Sequence, residues 1–224
     1  MNALILAAGR GERLRPLTDG CPKPLLPVRG KRLIEWHLEA LARAGARRVV
    51  VNTAWLEEQF PLALGDGARW GVEVVYSFEG KDHGHALDTA GGIANALPQL
   101  GETFWVVSGD VFLPGFEFAR TDFEDFTAGT DQALLWLVPP AAHHPQGDFG
   151  IDAQGRASRL AQPRLKWASV GLFRASLFGD VVPGTVLPLA TKLDEAATGG
   201  RLGARRWAGE CIDVGTVERL NRLK

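Results

Sequence analysis

Ala3-Leu4-Ile5-Leu6-Ala7-Ala8-Gly9-Arg10-Gly11-Glu12-Arg13-Leu14-Arg15-Pro16-Leu17-Thr18 is the stretch that decides the fold of this chain. Its first part is a short apolar run without alternation, the pattern of a strand covered on both faces in a parallel sheet. Gly9 ends the run and a basic, glycine-punctuated loop follows. Glycines directly after a strand let backbone amides approach phosphate oxygens, and Arg13 and Arg15 add fixed positive charge. The loop therefore reads as a polyphosphate cradle. Two other phosphate motifs do not fit: a dinucleotide fingerprint needs glycine where Leu14 stands, and a P-loop needs Gly-Lys-Ser/Thr, which is absent.

Outward from this stretch the pattern alternates. Apolar spacing predicts an amphipathic helix over 33–44, stopped by Gly45, and then a β-branched strand over 48–52. A helix is expected over 55–64, a strand over 72–77, a glycine-rich loop, a helix over 90–97 and a strand over 104–107. In the second half, strands are expected at 133–138 and 167–173 and helices at 186–197 and 217–223, with a surface loop from Pro139 to Pro145. Strand-helix alternation with right-handed crossovers implies an α/β sheet.

Composition narrows the function. The chain has 224 residues, 46% of them apolar and 23% charged, with a formal net charge of −1. That length can bury an ordinary core in one domain over 1–224, and no linker or internal repeat divides it. A net charge this small gathers no polyanion, so nucleic-acid binding is disfavoured and any phosphate site must be local. Cys21 and Cys211 read as free thiols of a reducing cytosol. The apolar start breaks at Gly9, too early for a signal core or a membrane span, so a cytoplasmic protein without membrane contact is expected.

Further motifs carry chemistry. Pro22-Lys23-Pro24-Leu25-Leu26-Pro27 holds a lysine between two prolines, which restrict its backbone and fix the cation. Val106-Val107-Ser108-Gly109-Asp110 is an apolar strand ending in a carboxylate at its C-terminal edge, where open α/β sheets bind ligands. Ile212-Asp213-Val214-Gly215-Thr216 sets a second carboxylate just before a terminal helix, where it reads as a metal ligand or as a helix cap. Two carboxylates with phosphate oxygens and water suit octahedral magnesium. In Leu87-Asp88-Thr89-Ala90-Gly91-Gly92-Ile93 a Gly-Gly pair ahead of a helix leaves room for a planar base or sugar against the backbone. His83-Gly84-His85 and His143-His144 invite a transition-metal reading, but no cysteine or carboxylate stands at the companion spacing that zinc needs.

Taken together, Leu-Ala-Ala-Gly-x-Gly-x-Arg-x-x-Pro-Leu-Thr followed by Pro-Lys-Pro-Leu resembles the N-terminal signature of sugar-phosphate nucleotidyltransferases, and Asp-Val-Gly-Thr at 213–216 resembles that family's closing motif. The resemblance spans essentially the whole chain. It implies a Rossmann-like, three-layer fold with a mixed, mostly parallel central sheet, a nucleotide-binding part over about 1–110 and a sugar-binding part over about 111–224, and no C-terminal β-helix.

The same resemblance implies roles. Arg15, Lys23 and Asp110 are expected to be catalytic, and Asp110 and Asp213 to bind Mg2+. The nucleotide is expected against Ala8, Gly9, Gly11, Glu12, Arg13 and Lys23, with Thr89, Gly91, Gly92 and Ser108 at the nucleoside. Phe149-Gly150 and Trp167-Ala168-Ser169-Val170-Gly171 are similar to sugar-contacting strands, which nominates Gly150 and Ser169; many relatives carry an acidic and a basic residue where Ala161-Gln162-Pro163 stands here. Among such enzymes the chain is most similar to those that uridylylate N-acetylmuramate α-1-phosphate, through Val51-Asn52-Thr53-Ala54-Trp55-Leu56 and the 87–93 loop. The implied partners are UTP and that sugar phosphate, handled by a monomer or weak homodimer. Mannose-1-phosphate guanylyl transfer and a catalytically inactive nucleotide-sugar sensor are the alternative readings.

Overall fold

A computed structural model describes residues 1–141 and 144–223. Seven strands form one continuous sheet: β1 (Asn2–Leu6), β2 (Arg48–Thr53), β3 (Glu73–Phe78), β4 (Thr103–Ser108), β5 (Ala133–Val138), β6 (Lys166–Arg174) and β7 (Leu202–Arg206). Their order is β7-β5-β6-β4-β1-β2-β3. Only β6 runs against its neighbours, so the sheet is mixed and mostly parallel, as the family resemblance implied.

Among the described residues seven α-helices accompany it: α1 (Leu33–Arg43), α2 (Gln59–Leu64), α3 (Glu79–His83), α4 (Asp88–Leu100), α5 (Arg120–Ala128), α6 (Leu189–Thr198) and α7 (Val217–Asn221). Both faces of the sheet are covered, which is why β1 is apolar from Ala3 to Leu6. Ala3 and Ile5 join Ile34 and Leu38 of α1, Phe60 of α2 and Phe126 of α5 on one face. Leu4 joins Ala90 and Ile93 of α4 and Leu193 of α6 on the other. A third cluster, built on Leu14, Leu33, Phe112, Val214 and Leu220, fastens the end of the chain beside the loop after β1.

Several elements differ from the sequence reading, each for a local reason. The helix expected over 55–64 begins only at Gln59, because Leu56 takes a left-handed φ of 48°. The helix expected over 186–197 begins at Leu189, since Pro188 disfavours helical backbone at the residue before it, and Leu187 instead donates its N–H to the Leu87 carbonyl. Glu79–His83, expected as loop, is a short helix. Edge strand β7 went unread because Leu-Gly-Ala-Arg-Arg has no strand-like pattern. Of the expected surface loop, 139–141 and 144–145 are irregular, and the rest, with His143, lies outside the described residues.

The Gly91-Gly92 pair does not precede a helix but lies inside α4. Both glycines answer to protein neighbours: a Cβ on Gly91 would stand 2.1 Å from the Thr185 carbonyl oxygen, and one on Gly92 would stand 2.5 Å from the Glu79 carboxylate. Gly91→Ala is therefore expected to cost about 1–3 kcal/mol through overpacking against backbone that cannot swing away, measured by denaturant unfolding.

His37 of α1, 2% exposed, fixes the residue after Asp110, with its Nε2 2.8 Å from the Val111 carbonyl oxygen. Burial lowers its pKa from 6.5 to about 4, against the opposing pull of the Val111 carbonyl and of Asp110. The unfolded chain takes up this proton near pH 6.5 and the folded chain only near 4, so the histidine favours folding fully above pH 6.5. That contribution, up to about 3 kcal/mol, drains away as pH falls toward 4. Urea unfolding of wild type and His37→Gln from pH 7.5 to 4.5 should show a shallower acid loss in the variant.

Candidate active site

β1 runs parallel between β2 and β4, with Leu6 opposite both Asn52 and Ser108. Three strands thus end at one level, and the loops leaving them share one cleft at the sheet's C-terminal edge. The loop after β1 turns back on itself: Gly11 takes φ +69°, its carbonyl accepts from the Thr18 hydroxyl at 2.9 Å, and a Cβ there would press on Lys23 Cβ at 3.2 Å. Glycine at position 11 is what lets the basic loop close onto the Pro-Lys-Pro segment.

Two adjoining cavities result. The larger, about 790 Å³, is lined by Ala8, Gly9, Gly11, Glu12 and Arg13 from that loop, by Asn52, Asp88, Thr89 and Ser108 from the other strand ends, and by Val186 from the segment before α6. The smaller, about 290 Å³, is lined by Arg13, Lys23, Asp110, His144, Lys166, Asp213, Gly215 and Arg219. Arg13, Lys23, Asp110 and Gly215 belong to both.

Asp110 and Asp213 are brought together by a small antiparallel pair, Val111–Phe112 with Ile212–Asp213, in which Asp213 faces Val111 and the Val214 N–H donates to the Asp110 carbonyl at 2.9 Å. Each carboxylate has a lysine partner: Lys23 Nζ lies 2.6 Å from Asp110 Oδ2, and Lys166 Nζ lies 2.5 Å from Asp213 Oδ2. Both lysines are largely buried. Asp213 is not the cap of α7; Thr216 is, accepting from the Arg219 N–H at 3.3 Å. Four permanent cations against two carboxylates leave the smaller cavity an excess of positive charge, suited to phosphate.

The donor set fits magnesium. Two hard carboxylates share one wall, and among the described residues no group of three or more His, Cys, Asp or Glu side chains is arranged to hold an ion. An ion there would complete its shell with substrate oxygens and water, as magnesium does. His83 pairs with Asn95, and His144, on the wall of the smaller cavity, pairs with Asp148. Burial pushes the Cys211 thiol up to about 11, so it is protonated at neutral pH and offers no nucleophile beside the cleft.

Not every nominated residue reaches this place. Arg15 points away, its Nε 3.1 Å from Asp19 in a half-exposed pair, and it lines neither cavity; Arg13 occupies the shared wall instead. Gly91 and Gly92, within α4, pack against Thr185 and Glu79 rather than on the cleft surface. Gly150 and Ser169 also line neither cavity. Gly150 lets Ala161 approach, a Cβ there standing 2.1 Å from that residue's oxygen, and Ser169 takes φ +58° at the register shift in β6.

Other residues join that were not nominated for the site. Lys166 ends in the smaller cavity. Arg219 packs across Gly215, and Arg10 lies over the Trp55 ring at 4.3 Å on the larger cavity's rim. Asn52, also on the larger cavity's wall, left a trace in the sequence as a buried amide directly after the Val49-Val50-Val51 run.

Comparison with known proteins agrees with the geometry. The family model for nucleotidyl transferases matches residues 2–163. An N-acetylmuramate alpha-1-phosphate uridylyltransferase of Neisseria meningitidis is 44% identical over all of this chain and 97% of its own length. A glucose-1-phosphate thymidylyltransferase of Mycolicibacterium smegmatis is 34% identical over 89% of this chain and 67% of its own. Among solved structures, a Bacillus anthracis protein assigned as a glucose-1-phosphate thymidylyltransferase, in complex with sucrose, superposes with a TM-score of 0.83 over 100% of this chain and 94% of its own; at 20% identity that likeness speaks for the fold. No helix among the described residues is long and apolar enough to cross a membrane. With a family model over most of its length and a relative aligned end to end, this chain belongs to the nucleotidyl transferase family.

Proposed function

We propose that this chain transfers the uridylyl group of UTP to N-acetylmuramate α-1-phosphate in the cytoplasm, giving UDP-N-acetylmuramate and pyrophosphate for the recycling of cell-wall sugars. The observation that carries the reaction class is the pair of cavities sharing Arg13, Lys23, Asp110 and Gly215. Two anionic substrates entering from two sides would meet at that common wall. The choice of uridylyl and muramate is supported by the 44% identity, end to end, with the Neisseria enzyme. In this reading residues 1–110 and 111–224 are nucleotide and sugar halves of one domain, with Val186 reaching across to the nucleotide side.

The obstacle to reaction is repulsion between two polyanions and their alignment. A phosphate oxygen of the sugar phosphate forms a bond to the α-phosphorus, the bond to the β-phosphate bridge breaks, and its electron pair leaves with pyrophosphate. The attacking oxygen is already ionised near neutral pH, so no side chain has to remove a proton. Asp110 and Asp213 would hold a magnesium ion, which would neutralise phosphate charge. Lys23, at the shared wall, and Lys166, on the sugar-phosphate side, offer their own charge to phosphate oxygens. Arg13 stabilises the charge that builds toward pyrophosphate.

Asp110→Asn and Arg13→Ala are each expected to lower turnover by about 10² or more. Arg15→Ala should change it by less than about threefold, since it removes only an exposed pair with Asp19. Near-normal turnover of folded Asp110→Asn would overturn the mechanism. Substrate identity is tested by pyrophosphate release with UTP, GTP, dTTP and CTP, each paired with the 1-phosphates of N-acetylmuramate, N-acetylglucosamine, glucose and mannose. UTP with the muramate should be fastest, and chelation by EDTA should abolish turnover until magnesium is restored. A faster different pair keeps the mechanism and replaces the substrate; nucleotide binding with no turnover in any pair identifies a sensor.

A further inference from the structure

Beneath the larger cavity runs a buried chain of hydrogen bonds. Asn52, near the end of β2, accepts the Ala7 N–H through Oδ1 at 2.8 Å, where the phosphate loop leaves β1. Its Nδ2 donates to Glu79 Oε1 at 2.6 Å. The other oxygen of Glu79, Oε2, accepts the Leu87 N–H at 2.8 Å, at the entry to α4. Glu79 is fully buried and lines neither cavity, while Ala7, Asn52, Ala86, Asp88 and Thr89 all line the larger one.

The donor and acceptor directions leave no freedom. A backbone N–H can only donate, so Ala7 obliges Asn52 to present its oxygen and to turn its amide nitrogen toward Glu79. Leu87 can likewise only donate. Glu79 must therefore accept at both oxygens, which an ionised carboxylate does and a glutamine cannot. Burial raises its pKa, with Glu57 adding to the rise, while the Leu87 N–H, the Asn52 amide and His83 oppose it. Gly92 belongs to the same device: a Cβ there would stand 2.5 Å from Glu79 Oε1 and 2.6 Å from Asn52 Nδ2, so the glycine lets the chain pass beneath the first turn of α4.

We propose that Glu79 is a positioning residue for the nucleotide: by tying Leu87 to Asn52, and through it to Ala7, it sets the spacing between the phosphate loop and the nucleoside loop. This rests on the reading that the larger cavity holds the nucleoside triphosphate. Glu79 touches no substrate and acts on nucleotide affinity, leaving the chemical step to Arg13, Lys23 and Asp110.

The test exploits shape. Glu79→Gln keeps the volume but offers one oxygen to two donors. A double variant combining Asn52→Asp with Glu79→Gln, isosteric at both positions, restores every bond in reverse order. The carboxylate introduced at position 52 accepts from Ala7 and from the amide introduced at position 79, whose oxygen accepts from Leu87. Glu79→Gln should raise KM for UTP and the Kd for UTP with magnesium about tenfold, one buried donor being left unpaired, with kcat changed less than about threefold. The double variant should recover at least half of that loss on a logarithmic scale, the charge now lying nearer the triphosphate. Amide exchange of 6–12 and 86–90 in the ligand-free protein should quicken in Glu79→Gln and slow again in the double variant.

Wild-type KM in Glu79→Gln, or a double variant no better than the single, overturns the proposal. If Glu79→Gln does not fold, the double variant decides: folded with KM within about threefold of wild type, it supports the tie, and unfolded it overturns it. A wild-type chain that binds no nucleoside triphosphate overturns the proposed function and the nucleotide role of Glu79 together; the exchange data separate that outcome from a tie that does not exist.

Discussion

The arrangement depends on β1 being buried on both faces and paired on both edges. Because Leu6 stands opposite Asn52 on one side and Ser108 on the other, three strands run out of sheet at the same level. Backbone amides and carbonyls that leave a sheet must find partners elsewhere. Here they find them in one another and in Asn52, which takes the Ala7 N–H through both its backbone oxygen and its side chain. The phosphate loop is therefore anchored at its root while its tip stays open to the cleft.

Charge management is the second constraint. The cleft collects cations for anionic substrates, yet Lys23 and Lys166 are largely buried, and a buried lysine without a counterion loses its solvation at considerable cost. Pairing each with an aspartate resolves this in the ligand-free protein and holds both carboxylates toward one cavity. His37 contributes from behind, remaining neutral and holding the Val111 carbonyl, which keeps the short strand that follows Asp110 in register with the one bearing Asp213. The two acids are far apart in sequence, and their meeting depends on the third apolar cluster fastening the chain end near Leu14 and Phe112.

The motifs and the geometry divide the glycines and arginines differently. Gly11 takes a left-handed turn on the cleft wall, pressed against Lys23. Gly91 and Gly92 carry the same sequence signal of close approach, but what approaches them is Thr185 and the Glu79-Asn52 pair. Arg13 and Arg15 are equivalent on paper, two basic residues after a glycine. The turn through Leu14 sends Arg13 toward Gly215 and leaves Arg15 to Asp19.

Sequence alone determined what short-range patterns encode: the buried strand with its basic loop, the alternation that makes an α/β sheet, Lys23 held between prolines, and two carboxylates, one after a strand and one ahead of the terminal helix. Each rests on periodicity, torsional limits or charge within a few residues, and these act before the chain has folded. The start of α6 at Leu189 could have been read from Pro188 by the same logic. Only the tertiary structure decided which arginine faces the cleft, that Lys166 enters a basic cavity although no basic residue stands at Gln162, and that Glu79 joins two loops from beneath. Those outcomes depend on side-chain direction and on contacts between segments distant along the chain, and hydrophobic spacing along one strand or helix carries no information about either.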